Sequence, residues 1–243
     1  MKLETHDIWA AFSLLSRLPV PVDHARAGER GAQAAWAYPL VGAGLGFAAG
    51  LFGWALLGIG VSASIAAVLV LALQVYLTGA MHEDGLADMA DGLGGTTQER
   101  RLEIMKDSRI GAYGTIAIVL ALLARHAGIS EIAGHNLPLI LATLGAGSRA
   151  LMVLVMATLS HARKAGLAAS AGRPEFEQVM LALGIGLFLS LFTFGWAGFV
   201  VFFCMAIAAI AVAIIAQKAF AGQTGDVLGA TQQSAEIIGF AAL

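Results

Sequence analysis

Six blocks of predominantly apolar residues run along the chain, at 36–58, 62–81, 110–128, 138–159, 179–195 and 196–217. A bilayer's hydrocarbon core needs about 20 apolar helical residues to cross it, so each block predicts a transmembrane helix. A seventh block, 229–243, is short and interrupted by Gln232, Gln233 and Glu236, which predicts a partial or re-entrant helix. Ahead of the first span, residues 1–35 mix acids with Lys2, Arg17, Arg26 and Arg30 and lack the unbroken apolar stretch of a signal peptide. Within that segment, 8–18 reads as an amphipathic helix lying in the membrane interface. The tight connections near Gly60 and Gly195 predict antiparallel helix hairpins. Gly42, Gly44, Gly46 and Gly50, spaced partly as small-xxx-small, allow close helix packing in the first span. There is no internal repeat. The expectation is an all-α, polytopic helical bundle of about six to seven transmembrane helices, with residues 1–243 as one domain.

Composition agrees with the pattern and sharpens it. Hydrophobic residues make up 58% and charged residues 12%, with a mean hydropathy of +0.81, values that exclude an ordinary soluble domain. The single Cys204 lies in an apolar run and implies neither a disulfide nor a metal site. A net charge of −2 argues against nucleic acid as a partner. The cations are unevenly placed. Four lie in the N-terminal segment, four between the second and third spans (Arg100, Arg101, Lys106, Arg109), three in 160–178 (Arg163, Lys164, Arg173), and Lys218 follows the sixth span. The alternate loops have none, so by the positive-inside rule these segments face the cytoplasm. Arg125 and Arg149 fall inside spans, where a charge is costly and is paired or functional. Arg125 lies toward the far end of its span and reads as snorkelling or pairing with Glu131. Arg149, deeper in an apolar helix, is the better candidate for a substrate phosphate or an aspartate partner.

The chemistry concentrates just after the second span, in His82-Glu-Asp-Gly-Leu-Ala-Asp-Met-Ala-Asp-Gly92. Asp84, Asp88 and Asp91 are spaced i, i+4, i+7, so one helix face carries all three carboxylates. Like charges that close repel and stay ionised together only around a cation. Oxygen ligands suit Mg²⁺ or Mn²⁺, and carboxylate-held Mg²⁺ commonly takes a phosphate as a further ligand. The competing reading is a solvated acidic helix end, against which the many nearby glycines weigh. His82 is either a surface histidine or a base or ligand, and Glu83, pointing away from the aspartates, is expected to be solvated. Downstream, Asp107 lies between Lys106 and Arg109, either as a further ligand or as a positioning ion pair. Gln223, Thr224 and Asp226 form a polar patch, read as a turn before the last helix or as hydrogen-bonding groups for a ribose or base. Together these residues describe metal-assisted phosphoryl transfer, with neither acceptor nor diphosphate specified.

Four stretches supply a resemblance: the His82–Gly92 motif, Leu102-Glu-Ile-Met-Lys-Asp-Ser-Arg-Ile-Gly111, Ser148-Arg149, and Gly222-Gln-Thr-Gly-Asp-Val-Leu-Gly-Ala230. With Arg17-Leu-Pro-Val-Pro21, they make the whole chain resemble the cobalamin synthase family of adenosylcobinamide-GDP ribazoletransferases. The resemblance implies a Mg²⁺-dependent enzyme of the bacterial inner membrane with its active site toward the cytoplasm. It would join adenosylcobinamide-GDP to α-ribazole or α-ribazole 5′-phosphate and release GMP. Asp84, Asp88 and Asp91, with Asp107 a further candidate, would hold the metal and the pyrophosphate. Lys106, Arg109 or Arg149 would steady the departing GMP, and His82 or an aspartate would accept the hydroxyl proton. A homo-oligomer and other corrinoid-pathway enzymes are further expected partners. More weakly, Asp88-Met-Ala-Asp-Gly92 resembles the D-x-x-D-G of CDP-alcohol phosphotransferases, but Leu93-Gly94 follows where that family has Ala-Arg. A cation-coupled transporter of a corrinoid precursor is the alternative from a different class, disfavoured because the acids sit at a span edge and not at the midplane.

Overall fold

The computed structural model describes residues 3–163 and 170–243; Lys2 and Lys164, two of the cations that set the expected orientation, lie outside them. The chain opens with α1 (Thr5–Leu15) and α2 (His24–Arg30), followed by a 3₁₀ segment, Gly31–Ala37. The long helices are α3 (Tyr38–Gly58), α4 (Ala63–Thr78), α7 (Ala112–Glu131), α8 (Leu137–Thr158), α9 (Phe176–Phe194) and α10 (Trp196–Phe220). Three further helices are interleaved, α5 (Met81–Leu93), α6 (Gln98–Ile104) and α11 (Gly225–Ala241). Among the described residues there is no β-strand, only an isolated bridge between His161 and Gln223. The six expected spans correspond to α3, α4, α7, α8, α9 and α10, each boundary moving by a few residues. The chain is therefore a multi-pass, all-helical membrane protein.

The centre of the bundle is α8, buried along nearly its whole length, while α9 and α10 present Phe188, Phe192, Trp196 and Phe203 outward. Such all-round apolarity is tolerated because lipid receives the outer faces. The α3–α8 contact explains the glycine series. A Cβ on Gly42 would lie 2.0 Å from the carbonyl oxygen of Gly145, and one on Gly46 would lie 2.2 Å from that of Leu141. Backbone therefore packs on backbone there.

Two departures from the sequence expectation matter for the site. The second span stops at Thr78, and α5 leaves it at 87°. Gly79 (φ 66°) and Ala80 (φ 60°) make the bend, both in left-handed conformations. Alanine there costs roughly 1–2 kcal/mol, so the turn is held by its surroundings and not by preference. The last block is not a partial helix broken by its polar residues. Here α11 is continuous over 17 residues, packs against α5, α7, α8 and α10, and buries Gln232, Gln233 and Glu236. Those side chains find partners inside the bundle, which removes the penalty that made the block look interrupted.

The N-terminal segment is built around Asp7 on α1, which is completely buried. Arg30 Nε and Nη2 donate to its two oxygens at 2.8 and 2.6 Å, and Trp36 Nε1 donates at 2.9 Å. Burial alone would push the Asp7 carboxyl up, but these donors and the backbone N–H of Glu4 hold it below the ordinary aspartate value. This clamp fastens α1 to the 3₁₀ segment and so to the start of α3.

Candidate active site

Two helix starts create the site. Ala80, of positive φ, stands immediately before α5, and Ala221 (φ 57°) ends α10 and turns the chain toward α11, whose N-cap is Thr224. The N-terminal end of α11 lies against α5 at a glycine: a Cβ on Gly85 would sit 2.9 Å from the carbonyl oxygen of Asp226. On the other side, a Cβ on Gly229 would lie 3.2 Å from the Cα of His82. This close approach places Asp226 beside the acidic face of α5. Thr224 caps α11 by accepting from the N–H of Val227 (3.3 Å) and donates its hydroxyl proton to Asp226 Oδ2 (3.1 Å). Gln223 is occupied with His161, its Nε2 lying 3.0 Å from His161 Nδ1. The 223–226 patch is thus the turn before the last helix, and of its side chains Asp226 is the one set beside the acidic face of α5.

Asp84, Asp91 and Asp226 all act on the charge of Asp88, and Arg163 is the cation that opposes them. Arg163 is anchored by Nη2, which donates to the carbonyl of Leu102 at 2.9 Å. Its Nη1 stands 3.7 Å from Asp226 Oδ2, a loose pairing. Asp84 is exposed and Asp88 is half-buried, so the carboxylates open onto a cleft.

No three acidic, histidine or cysteine side chains among the described residues already stand as a set of metal ligands. The donor chemistry nevertheless suits a hard cation at Asp84, Asp88 and Asp226. Three carboxylates from two helices, faced among the described residues by one loosely paired arginine, carry net negative charge that a divalent ion would neutralise. Asp91 has a different partner set from the one its spacing predicts. It accepts from the N–H groups of Gly111 (2.7 Å) and Gly114 (2.8 Å), closing the first turn of α7. Asp107 is gripped by Arg109, with Nη2 to Oδ2 at 2.6 Å, and that contact holds its carboxyl down at about 2. The pair shares a shallow notch with Asp91, Arg100 and Glu103. Lys106 is exposed nearby. The structure thus brings together Asp84, Asp88 and Asp226, and commits Asp91 and Asp107 to α7 and Arg109.

Behind the cleft lies a chamber that corrects four readings. Glu83 is buried, not solvated, and pairs with Arg125 Nη1 at 2.8 Å. Arg125 neither snorkels nor meets Glu131; its Nη2 also pairs with Glu236 at 3.0 Å and donates to Gln74 at 2.8 Å. Gln233 Nε2 donates to Glu83 at 3.0 Å, and Gln232 Nε2 donates to Glu236 at 2.5 Å. His82 is not a surface residue; it is buried and lines both the chamber and the cleft. Arg149 sits in the chamber wall, its Nη1 donating to Gly145 at 3.3 Å, and faces Glu83 and Glu236 instead of the aspartates.

Arg163 was invisible as a site residue, because a loop arginine next to a span looks like any positive-inside anchor. Glu83 could have been found by asking what neutralises Arg125 inside a membrane, since an intramembrane charge demands a partner.

The chain matches the family model described as cobalamin-5-phosphate synthase over residues 7–243. It is 39% identical to an adenosylcobinamide-GDP ribazoletransferase of Allorhizobium ampelinum, across 98% of this chain and 95% of that one. It is 40% identical to proteins of the same name from Bradyrhizobium diazoefficiens (96% and 90% of the two chains) and Sinorhizobium medicae (98% and 95%). No solved structure matches it. With family match and relatives both extending from the Asp7 clamp through the carboxylate cleft to the end of α11, the chain belongs to the cobalamin-5-phosphate synthase family.

Proposed function

We propose that this protein transfers the cobinamide phosphate of adenosylcobinamide-GDP to α-ribazole or α-ribazole 5′-phosphate, releasing GMP, at the cytoplasmic face of the bacterial inner membrane. The observation that carries this reading is the meeting of Asp84 and Asp88 from α5 with Asp226 from α11, opposed among the described residues by Arg163. The relatives' shared name supplies the substrates. The one-sided distribution of loop cations supports the orientation, since Arg100, Arg101, Arg163 and Lys218 lie in segments at the cleft's end of the bundle.

In the reaction, the acceptor hydroxyl oxygen bonds to the phosphorus next to cobinamide. The bond from that phosphorus to the bridging oxygen breaks, and the bridging oxygen keeps the electron pair as part of GMP. Asp84, Asp88 and Asp226 are the residues suited to hold Mg²⁺ or Mn²⁺, which when bound would neutralise the diphosphate and the departing phosphate. Arg163, loosely paired and fixed by Leu102, is placed to exchange its contact with Asp226 for a non-bridging phosphate oxygen, an arginine–phosphate pairing that also orients the group. Arg109 and Arg149 are less suited, one paired with Asp107 and the other turned into the chamber. The hydroxyl proton goes to a cleft carboxylate; positioning and charge matter more than proton removal in a loose phosphoryl-transfer transition state. Thr224 and Gly85 act indirectly, by fixing where Asp226 lies.

The test is GMP release by the purified protein in liposomes, given adenosylcobinamide-GDP, α-ribazole and Mg²⁺. Release that stops with a chelator and returns with added Mg²⁺ or Mn²⁺ supports the proposal. Release unaffected by chelation removes the metal from it, and no release with either ribazole form removes the activity.

A further inference from the structure

The carboxylate cleft deepens into a cavity of about 230 Å³ between α1, the start of α3, α5, α8 and α11. Its body is lined by Leu15, Tyr38, Met81, Met152, Met156 and Leu228. Among the described residues the carboxylates lie at one edge, where Asp84 and Asp226 face it, while His82 and the phenol of Tyr38 add polar groups to the wall. The wall contains an unfilled place: Gly225 lines the cavity, and no atom lies within 4 Å of where its Cβ would be.

Size and polarity together decide what such a space accepts. Pockets for drug-sized ligands occupy about 300–1,000 Å³, so this one suits a fragment of about one bicyclic ring system and is too small to bury a corrin macrocycle. A guanine would have to bury an amide and an amino group in a wall made mainly of methionine and leucine, where His82 and the Tyr38 hydroxyl are too few to pair all of its donors and acceptors. A flat apolar heteroaromatic base meets no such penalty. Three methionines suit it, because thioethers are polarizable and adapt to an aromatic edge. A nucleoside with that base in the cavity has its sugar at the charged edge, which is where the hydroxyl must be.

Resting on the transferase reading above, we propose that this cavity is the acceptor subsite and that it holds the benzimidazole base of α-ribazole, with the ribose directed to the Asp84–Asp226 edge. The guanine half of the other substrate lies elsewhere.

The experiment measures equilibrium binding of α-ribazole and, separately, of GDP to the full-length protein in nanodiscs. Wild type is compared with Gly225→Val, which fills the open place from α11, and Met156→Trp, which fills the cavity from α8. Thermal unfolding of each variant establishes that it is folded. Expected is α-ribazole binding weakened by about tenfold or more in whichever variant folds, with GDP binding within about twofold of wild type. Unchanged α-ribazole binding in a folded variant overturns the subsite, as does loss of GDP binding in place of α-ribazole binding, or no α-ribazole binding by wild type. GMP release assayed alongside separates the two claims. Cavity-dependent α-ribazole binding without GMP release sinks the transferase reading and keeps the subsite; GMP release with cavity-independent binding does the reverse.

Discussion

Single residues in this protein take their character from partners far away in sequence. Asp7 illustrates it at the N-terminus, where Arg30 and Trp36 outweigh burial and keep its carboxyl low. A group with a depressed folded-state value stabilises fully above its unfolded value, and the contribution disappears as pH falls through the folded one. With Trp36 as the only tryptophan retained, its emission should therefore stay constant from neutral pH down to about pH 4 and change below it. In Asp7→Asn it should already be altered at pH 7; emission indifferent to both would remove Asp7 as the clamp. At this scale the sequence was only partly legible. The i, i+4, i+7 spacing put Asp84, Asp88 and Asp91 on one face, but a free helix shows no sign that Gly111 and Gly114 will donate to the third of these carboxylates. Arg163 and Glu83 were misread for the same reason: their meaning lies in Asp226 and Arg125, over 40 residues distant in each case.

Elements show the same division between local and distant information. The six long helices were readable because apolarity of bilayer length is a local property. The bend before α5 was not, since Ala80 adopts its left-handed conformation against its own preference. Nor was α11, whose polar residues look like interruptions until α5 and α7 supply Glu83 and Arg125. Arg125 ties α4, α5, α7 and α11 together through Gln74, Glu83, Gln233 and Glu236. Removing one member of a buried ion pair typically costs about 3–5 kcal/mol, because the partner is left charged and unpaired. Arg125→Met should accordingly lower the unfolding temperature markedly in detergent, and Glu83→Gln added to it should restore part of the loss. A variant as stable as wild type would show that the network does not hold α11 to α5.

As a whole molecule, the protein is a lipid-facing bundle around α8 with one polar interior and one acidic cleft. Membrane embedding and the all-helical, multi-pass architecture were legible from sequence. The composition of the cleft was not, because it requires α11 to return through the bundle and set Asp226 against Gly85. That assembly of a site from two helices is the central claim. The most direct measurement compares the turnover number for GMP release in Asp84→Asn, Asp226→Asn and Asp107→Asn, each confirmed to be folded and inserted. Asp84→Asn and Asp226→Asn should both lose roughly a hundredfold or more, while Asp107→Asn, already committed to Arg109, should stay within about tenfold of wild type. An Asp226→Asn protein turning over within about threefold of wild type, with Asp107→Asn inactive, would contradict the account.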